Sequence, residues 1–152
     1  MPEHAWYENA AMPYLLRAAR TAYGRAVRQA LVAAEFDDIP RNGAFVLAGV
    51  AGERASPATL MDHLGVSKQA ASQLIDTLVV RGYLDREADP SDRRRLTVRL
   101  TDRGTDAAAA VRAGVEAVDA ELASRLSSSE RTALRAGLGA LADIGRGLPP
   151  SP

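Results

Sequence analysis

The residues best suited to recognising another molecule lie in one short stretch of the chain. This stretch contains the polar and small residues Ser67, Lys68, Gln69, Ala71, Ser72 and Gln73. A glutamine amide can pair with adenine through two hydrogen bonds, lysine can reach guanine or phosphate, and serine can serve either group. On a helix, this set predicts a surface that reads base edges in the major groove of double-stranded DNA. The alternative is the solvated face of an ordinary surface helix.

A second candidate group is the arginine run Arg93–Arg95, which lies between two stretches of extended pattern, 83–87 and 95–100. A turn through 89–92 would place the run at the tip of a two-stranded ribbon. Exposed arginines repel one another in water, whereas in a narrow minor groove they meet enhanced negative potential and release counterions from phosphates. We therefore predict that the tip contacts DNA. The alternative is a solvated loop whose charge is incidental.

Glycine and serine signals place the polar stretch on the second of two short helices. Residues 56–59 read as a capped helix start, and Gly65 ends that helix. Ser67 can cap the next helix, which Gly82 closes. Its predicted buried positions are Ala71, Leu74, Ile75 and Leu78. Two helices joined by so tight a turn form a helix-turn-helix pattern.

Further helices flank this pattern on both sides. A long amphipathic helix runs to Ala34 and is entered near Pro13, and 44–50 is predicted to be a buried helix that Gly52 ends. After Thr101 and Asp102, which can cap the next helix, apolar residues recur at helical spacing at Val111, Val115, Val118, Leu122 and Leu126. The last helix begins at the capping-box pair Ser127 and Glu130 and carries Leu134, Leu138 and Leu141.

The apolar stripes of the flanking helices exceed what one helix-turn-helix core could cover. We therefore expect the first and last helices to pack together and against those of a second copy, as a two-fold homodimer. The alternative is a monomeric helical bundle. The predicted division is an N-terminal dimerisation helix over 1–36, a DNA-binding lobe over 37–101 and C-terminal dimerisation helices over 102–148, with 149–152 as a tail.

Composition argues against several other classes of protein. The 152 residues carry 19 basic and 19 acidic side chains, no cysteine and two histidines, His4 and His63. A histidine triad or a multi-histidine metal site is therefore implausible, and no phosphate-binding glycine loop is present, so we expect neither an enzyme nor a metal or other cofactor. The longest apolar run, 43–52, is far shorter than the roughly 20 residues that cross a bilayer. Without a secretory signal pattern, we expect a cytoplasmic protein with no membrane partner.

The wing sequence resembles that of a known family of regulators. Residues 92–101 read Asp-Arg-Arg-Arg-Leu-Thr-Val-Arg-Leu-Thr, which fits the wing signature of the MarR (multiple antibiotic resistance regulator) family. Residues 60–72 resemble the paired helices of that family, and Gly-Tyr-Leu at 82–84 matches a segment that its members carry. The resemblance covers 56 to about 106. It implies a mainly α fold with a small β-ribbon wing, in which a winged helix-turn-helix is flanked by dimerisation helices.

The resemblance also implies roles for particular residues. Arg94 would enter the minor groove beside Arg93 and Arg95, Asp92 would brace the wing, and the polar residues from Ser67 to Gln73 would face the major groove. Two lobes about one helical turn apart would read a pseudo-palindrome. Such a protein would be a transcriptional repressor. Without cysteine, it cannot work like the peroxide-sensing branch of the family.

Many members of the family bind phenolic or other small aromatic compounds, which release the DNA. The candidate pocket residues here are Tyr14, Arg17, Tyr23, Phe45 and His63. The aromatic rings at helical positions have core packing as their alternative, and His63 has packing or hydrogen bonding beside Gly65. A competing hypothesis for the whole protein is a ligand-independent or architectural DNA-binding factor, or an activator.

Overall fold

The computed structural model describes residues 5–52, 66–88 and 96–147 of the chain. The chain forms two compact units, Met1–Glu116 and Ala117–Pro152. The described elements, in chain order, are α1 (Met12–Ala33), α2 (Gly43–Ala51), α3 (Lys68–Val80), β1 (Leu84–Ala88), β2 (Leu96–Leu100), α4 (Asp102–Arg125) and α5 (Ser128–Gly147). The predicted mainly α fold with a small β-ribbon is confirmed. The first helix of the predicted helix-turn-helix falls outside the described residues.

Helices α1 and α2 begin and end at residues whose local chemistry sets those boundaries. Pro13 lies in the first turn of α1, where its missing N–H costs no intrahelical hydrogen bond. Asn42 precedes α2 in the left-handed conformation, and Gly52 follows its last residue. The predicted entry of α1 at Pro13 and the end of α2 at Gly52 are both confirmed.

The strands β1 and β2 form an antiparallel ribbon whose base enters the core of the first unit. Leu84 pairs with Leu100 and Ala88 with Leu96. Leu84 is fully buried, while Arg86 to Ala88 are exposed, so the ribbon emerges from the core towards solvent. The largest fully buried side chains of this core are Tyr83, Leu47, Leu78, Leu84 and Val46. Each buried leucine or valine contributes roughly 1.5–3 kcal/mol to folding.

Helix α4 approaches its neighbours closely at two glycines. A methyl group at Gly114 would lie 2.7 Å from Cα of Val27 in α1. A methyl group at Gly104 would overlap the carbonyl oxygen of Tyr83. Both positions therefore require glycine for steric reasons, and both fix where α4 packs within the first unit.

The second unit contains the end of α4 and the whole of α5. Glu130 accepts a hydrogen bond from the backbone N–H of Ser127 at 2.8 Å, and the Ser127 hydroxyl accepts one from the N–H of Glu130 at 3.3 Å. This reciprocal pair is the predicted capping box, and it lowers the pKa of Glu130 chiefly through the hydrogen bonds from Ser127. No residue of α5 is buried in the single chain.

Two kinds of feature are missing from the part of the chain that the structure describes. None of its helices combines the length and apolar character needed to span a bilayer. Nor do its aspartate and glutamate side chains form any group of three that could hold a metal ion.

Candidate nucleic-acid interface

Helix α3 is fixed at both ends by its own sequence. The Ser67 hydroxyl accepts a hydrogen bond from the Ala70 N–H at 3.2 Å, which confirms the predicted cap. Gly82 adopts a φ of 74°, a conformation that favours glycine. The N–H groups of Gly82 and Tyr83 then donate to the carbonyls of Val79 and Leu78, both at 2.9 Å. These bonds stop the helix and turn the chain into β1.

The two sides of α3 differ sharply in burial. Ala71, Ile75 and Leu78 are buried against the core, and Leu74 is half-buried. Five polar residues, which we name the polar face, are all exposed: Ser67, Lys68, Gln69, Ser72 and Gln73. Ala71 is wrong as a member of the predicted DNA-contacting set, because it is only 4% exposed and shares the apolar side with Ile75 and Leu78.

Ion pairs connect α3 to the ribbon and the two strands to each other. Arg86 of β1 bonds to Asp76, which lies on the exposed side of α3. On the other face of the ribbon, Arg99 bonds to Asp85 at 2.7 Å and to Glu87 at 3.3 Å. The sequence gives no indication that Asp76 and Arg86 are partners, because the position of the strand relative to the helix depends on the fold.

A polar cluster joins the end of α3 to the start of α4 and to the segment before α2. We name this cluster of Asp38, Tyr83 and Arg103 the junction. The Tyr83 hydroxyl donates to the Asp38 carboxylate, and Arg103 Nη2 donates to Asp38 Oδ1 at 3.1 Å and to the Tyr83 hydroxyl oxygen at 2.9 Å. The Arg103 guanidinium also lies 4.6 Å from the centre of the Tyr83 ring, a favourable cation–π geometry. Arg81 donates to the backbone carbonyl of Asp38.

The electrostatics of the junction follow from these contacts. The hydrogen bond from Tyr83 is the main cause that lowers the pKa of Asp38, and the charge of Arg103 acts in the same direction. Burial raises the pKa of Tyr83, and its hydrogen bond to the Asp38 carboxylate adds to that rise. The carboxylate and the neutral phenol are therefore the stable forms in the folded chain. None of these residues was identified from the sequence as a group.

Hydrogen bonds from the hydroxyl and the backbone of Thr101 hold the same region together. Thr101 caps α4 by accepting from the N–H of Gly104 at 2.9 Å, and its hydroxyl donates to the Gly82 carbonyl at 2.6 Å. The Thr101 N–H donates to the Tyr83 carbonyl at 3.1 Å. The residue that was predicted to cap α4 thus also ties it to the end of α3.

The predicted wing contacts cannot be placed on this structure. Asp92, Arg93, Arg94 and Arg95 lie outside the described residues, as does His63 of the candidate pocket. Their roles stay predictions.

The other candidate pocket residues are spread along α1 and α2. Tyr14 is 60% exposed and contacts Trp6 edge to face, with ring centres 6.2 Å apart. Arg17 is exposed, Tyr23 is half-buried and Phe45 is 44% exposed. Core packing within one chain therefore does not account for Tyr14.

A shallow cavity of about 290 Å³ lies between α2 and α4 and has other residues in its wall. It is lined by Ala48, Ala51, Gly52, Ala108, Val111, Arg112 and Val115. Most of this wall is apolar, and Arg112 is its charged member.

Part of the chain is similar in sequence to transcriptional regulators. A sequence model described as the MarR family matches residues 37–95. A Thauera aromatica protein described as a transcriptional regulatory protein for the hcr operon is 29% identical over 79 residues, which are 52% of this chain and 48% of that protein. The chain thus spans about half the length of that relative.

Solved structures agree with the fold over most of the chain. The S. aureus MepR–DNA complex has a TM-score of 0.71 and 21% identity, covering 90% of this chain and 99% of that one. CouR from Rhodococcus jostii RHA1, bound to p-coumaroyl-CoA, has a TM-score of 0.70 and 22% identity, covering 91% of this chain and 95% of that one.

Proposed function

We propose that the chain belongs to the MarR family, whose sequence model matches residues 37–95, and that it is a sequence-specific transcriptional repressor that binds DNA as a homodimer and is released by a small aromatic ligand. The observation that carries this proposal is the division of α3 into a buried side and the exposed polar face. A helix held by its apolar side can present its other side to base edges without losing core contacts. Ser67, Lys68 and the two glutamines supply donors and acceptors suited to that task.

The dimensions of α3 and the ribbon suit a duplex. Thirteen residues make α3 about 20 Å long, and the B-DNA major groove, about 12 Å wide, admits a helix. The ribbon begins four residues after α3 ends, so a wing that leaves the core here can reach the backbone or groove beside the helix. The structure of S. aureus MepR, which has a similar fold and was solved as a DNA complex, supports DNA as the partner.

Exposed apolar side chains support the homodimer. On α5, Leu134, Leu138 and Leu141 are 42–45% exposed and recur at helical spacing, and Ile144 is 61% exposed. A contiguous apolar stripe of this kind on a soluble domain marks an association surface. A second copy carries the same stripe, so the two stripes can cover each other in a two-fold dimer. Such a dimer would place two α3 helices about 34 Å apart, which matches the half-site spacing of a pseudo-palindromic operator.

The cavity between α2 and α4 supports a ligand with an apolar ring and an acidic group. Its apolar wall would bury the ring, and Arg112 would pair with the acid. A ligand wedged between these helices would change the position of α4, which begins at the junction and so constrains α3. This is our proposed route from ligand to DNA release.

The test of the function is a fluorescence-anisotropy titration of the purified protein onto DNA from upstream of its own gene, at about 150 mM salt. We expect saturable binding that survives a scrambled competitor of the same composition. Binding equal to the scrambled duplex, there and on duplexes enriched from a randomised pool, would contradict sequence-specific regulation. Small aromatic acids are then added to the protein–DNA complex. If none of them lowers the affinity for DNA, the protein is a ligand-independent DNA-binding factor.

The wing has its own test. Arg94→Ala is expected to weaken specific binding by roughly 1–3 kcal/mol if this side chain makes a defined groove contact. Arg20→Ala, on the exposed side of α1, removes the same charge and is the matched control. Equal affinities for the wild type and Arg94→Ala would refute the assignment.

A further inference from the structure

The exposed side of α3 carries a carboxylate where DNA would approach. Asp76 follows Gln69 by two helical turns and therefore lies on the same side of the helix. It is the acidic residue of α3, and its side chain is 54% exposed. A carboxylate in this position repels the phosphate backbone.

Arg86 neutralises this carboxylate from the ribbon. Arg86 follows Leu84 by two residues on β1, so both side chains leave the same face of the ribbon, towards α3. The Arg86 side chain is 44% exposed and bonds to Asp76 across the gap between helix and strand. The pair is thus accessible to a duplex lying along α3, unlike an ion pair buried in the core.

The charges around this pair balance among the described residues of α3 and the ribbon. Their cations are Lys68, Arg86 and Arg99, and their anions are Asp76, Asp85 and Glu87. This part of the surface therefore offers no net attraction to a polyanion. A phosphate that displaces Asp76 from Arg86 leaves the carboxylate facing the DNA without its counter-charge.

The cost of bringing the Asp76 carboxylate close to DNA differs between DNA sequences. A base edge that presents a donor to Asp76, such as the amino group of cytosine, satisfies the carboxylate. In an arbitrary sequence the base edge that faces Asp76 can present an acceptor instead, such as O6 of guanine, and the carboxylate is then repelled by both the base and the phosphates. We propose that Asp76, held by Arg86, is a specificity determinant that selects against arbitrary DNA; this inference rests on the proposed function.

The test compares Asp76→Asn with Asp85→Asn in the full-length protein. Asp85 is also exposed and paired with an arginine, but it lies on the opposite face of the ribbon, so the control makes the same change in net charge. Each protein is titrated onto a scrambled duplex and onto the duplex that the wild type enriches from a randomised pool, over a range of salt concentrations.

For Asp76→Asn we expect affinity for scrambled DNA to rise about fivefold to tenfold at about 150 mM salt, with a salt slope steeper by about one as Arg86 becomes available for a phosphate. Affinity for the enriched duplex stays within about twofold of the wild type or falls. The preference for the enriched duplex therefore drops by about fivefold or more. Asp85→Asn keeps that preference.

Arg86→Gln should change the affinity for scrambled DNA in the opposite direction, because it removes the cation and leaves the charge of Asp76 without a partner. We expect weaker binding to scrambled DNA and a shallower salt slope, whereas damage to the fold would weaken binding in both Asp76→Asn and Arg86→Gln. An unchanged preference in Asp76→Asn, or an equal change in Asp85→Asn, would overturn the inference. Failure of the wild type to enrich any sequence would instead defeat the proposed function, so the two failures are distinguishable.

Discussion

The two ends of α3 differ in how completely the rest of the chain engages their side chains. At the C-terminal end, Tyr83 is fully buried, and its hydroxyl and backbone bond to Asp38, Arg103 and Thr101. At the N-terminal end, the side chains of the polar face are exposed. Changes at the junction must therefore alter folding, while changes on the polar face, apart from the capping residue Ser67, can alter what is bound at little cost in stability. The C-terminal end of α3 is therefore anchored to the core, and the exposed side chains of its N-terminal end can contact another molecule.

The largest effect is expected next to the junction, from Gly104→Ala, because this glycine packs against Tyr83. The new methyl group would overlap the Tyr83 carbonyl, which cannot move without disturbing the hydrogen bonds at the start of α4. Overpacking of this kind costs about 3 kcal/mol, and urea unfolding would measure it. Gly24→Ala is the matched control, because nothing lies within 4 Å of the added methyl group and alanine favours the helix. Equal stability of the two variants would contradict the close contact.

A smaller loss is expected for Tyr83→Phe. The variant keeps the buried ring but removes a hydroxyl that donates to Asp38 and accepts from Arg103. We expect unfolding free energy to fall by about 1–2 kcal/mol. Tyr14→Phe removes an exposed hydroxyl and should change stability by less than about 0.5 kcal/mol. If both variants melt like the wild type, the junction does not anchor α3.

The smallest effect is a dependence on pH. Folding lowers the pKa of Asp38, so its stabilisation is present above the unfolded value of about 3.9 and is lost as the pH falls through the folded value. The side chain is 42% exposed, so we expect less than about 1 kcal/mol. Asp38→Asn should melt below the wild type at pH 6, and the gap should close towards pH 3. The same gap at both pH values would exclude the ionised Asp38 as its cause.

Local signals in the sequence predicted much of the first unit and the start of the second. The Ser67 cap, the stop at Gly82 and the capping box at Ser127 each depend on residues within a few positions, and all three are confirmed. Helical spacing correctly separated the exposed residues of α3 from Ile75 and Leu78. The same spacing places Ala71 with the buried residues, and its small size alone had suggested a contact with DNA.

Contacts between distant segments could not be predicted in this way. Asp38 lies 45 residues from Tyr83 and 65 from Arg103 in sequence. Nothing in local periodicity brings such residues together, because their meeting depends on how α2, α3 and α4 pack. The pair of Asp76 and Arg86 likewise depends on the direction in which the ribbon leaves the core.

The most direct test of the proposed role of the polar face is to titrate the Gln69→Ala and Gln73→Ala variants onto the enriched duplex and onto duplexes with single base changes. We predict that each variant melts like the wild type and loses its preference at one or two base pairs, with roughly 1–3 kcal/mol of discrimination lost at each. Equal losses on every duplex, or no loss on any, would contradict the claim that this face reads the sequence.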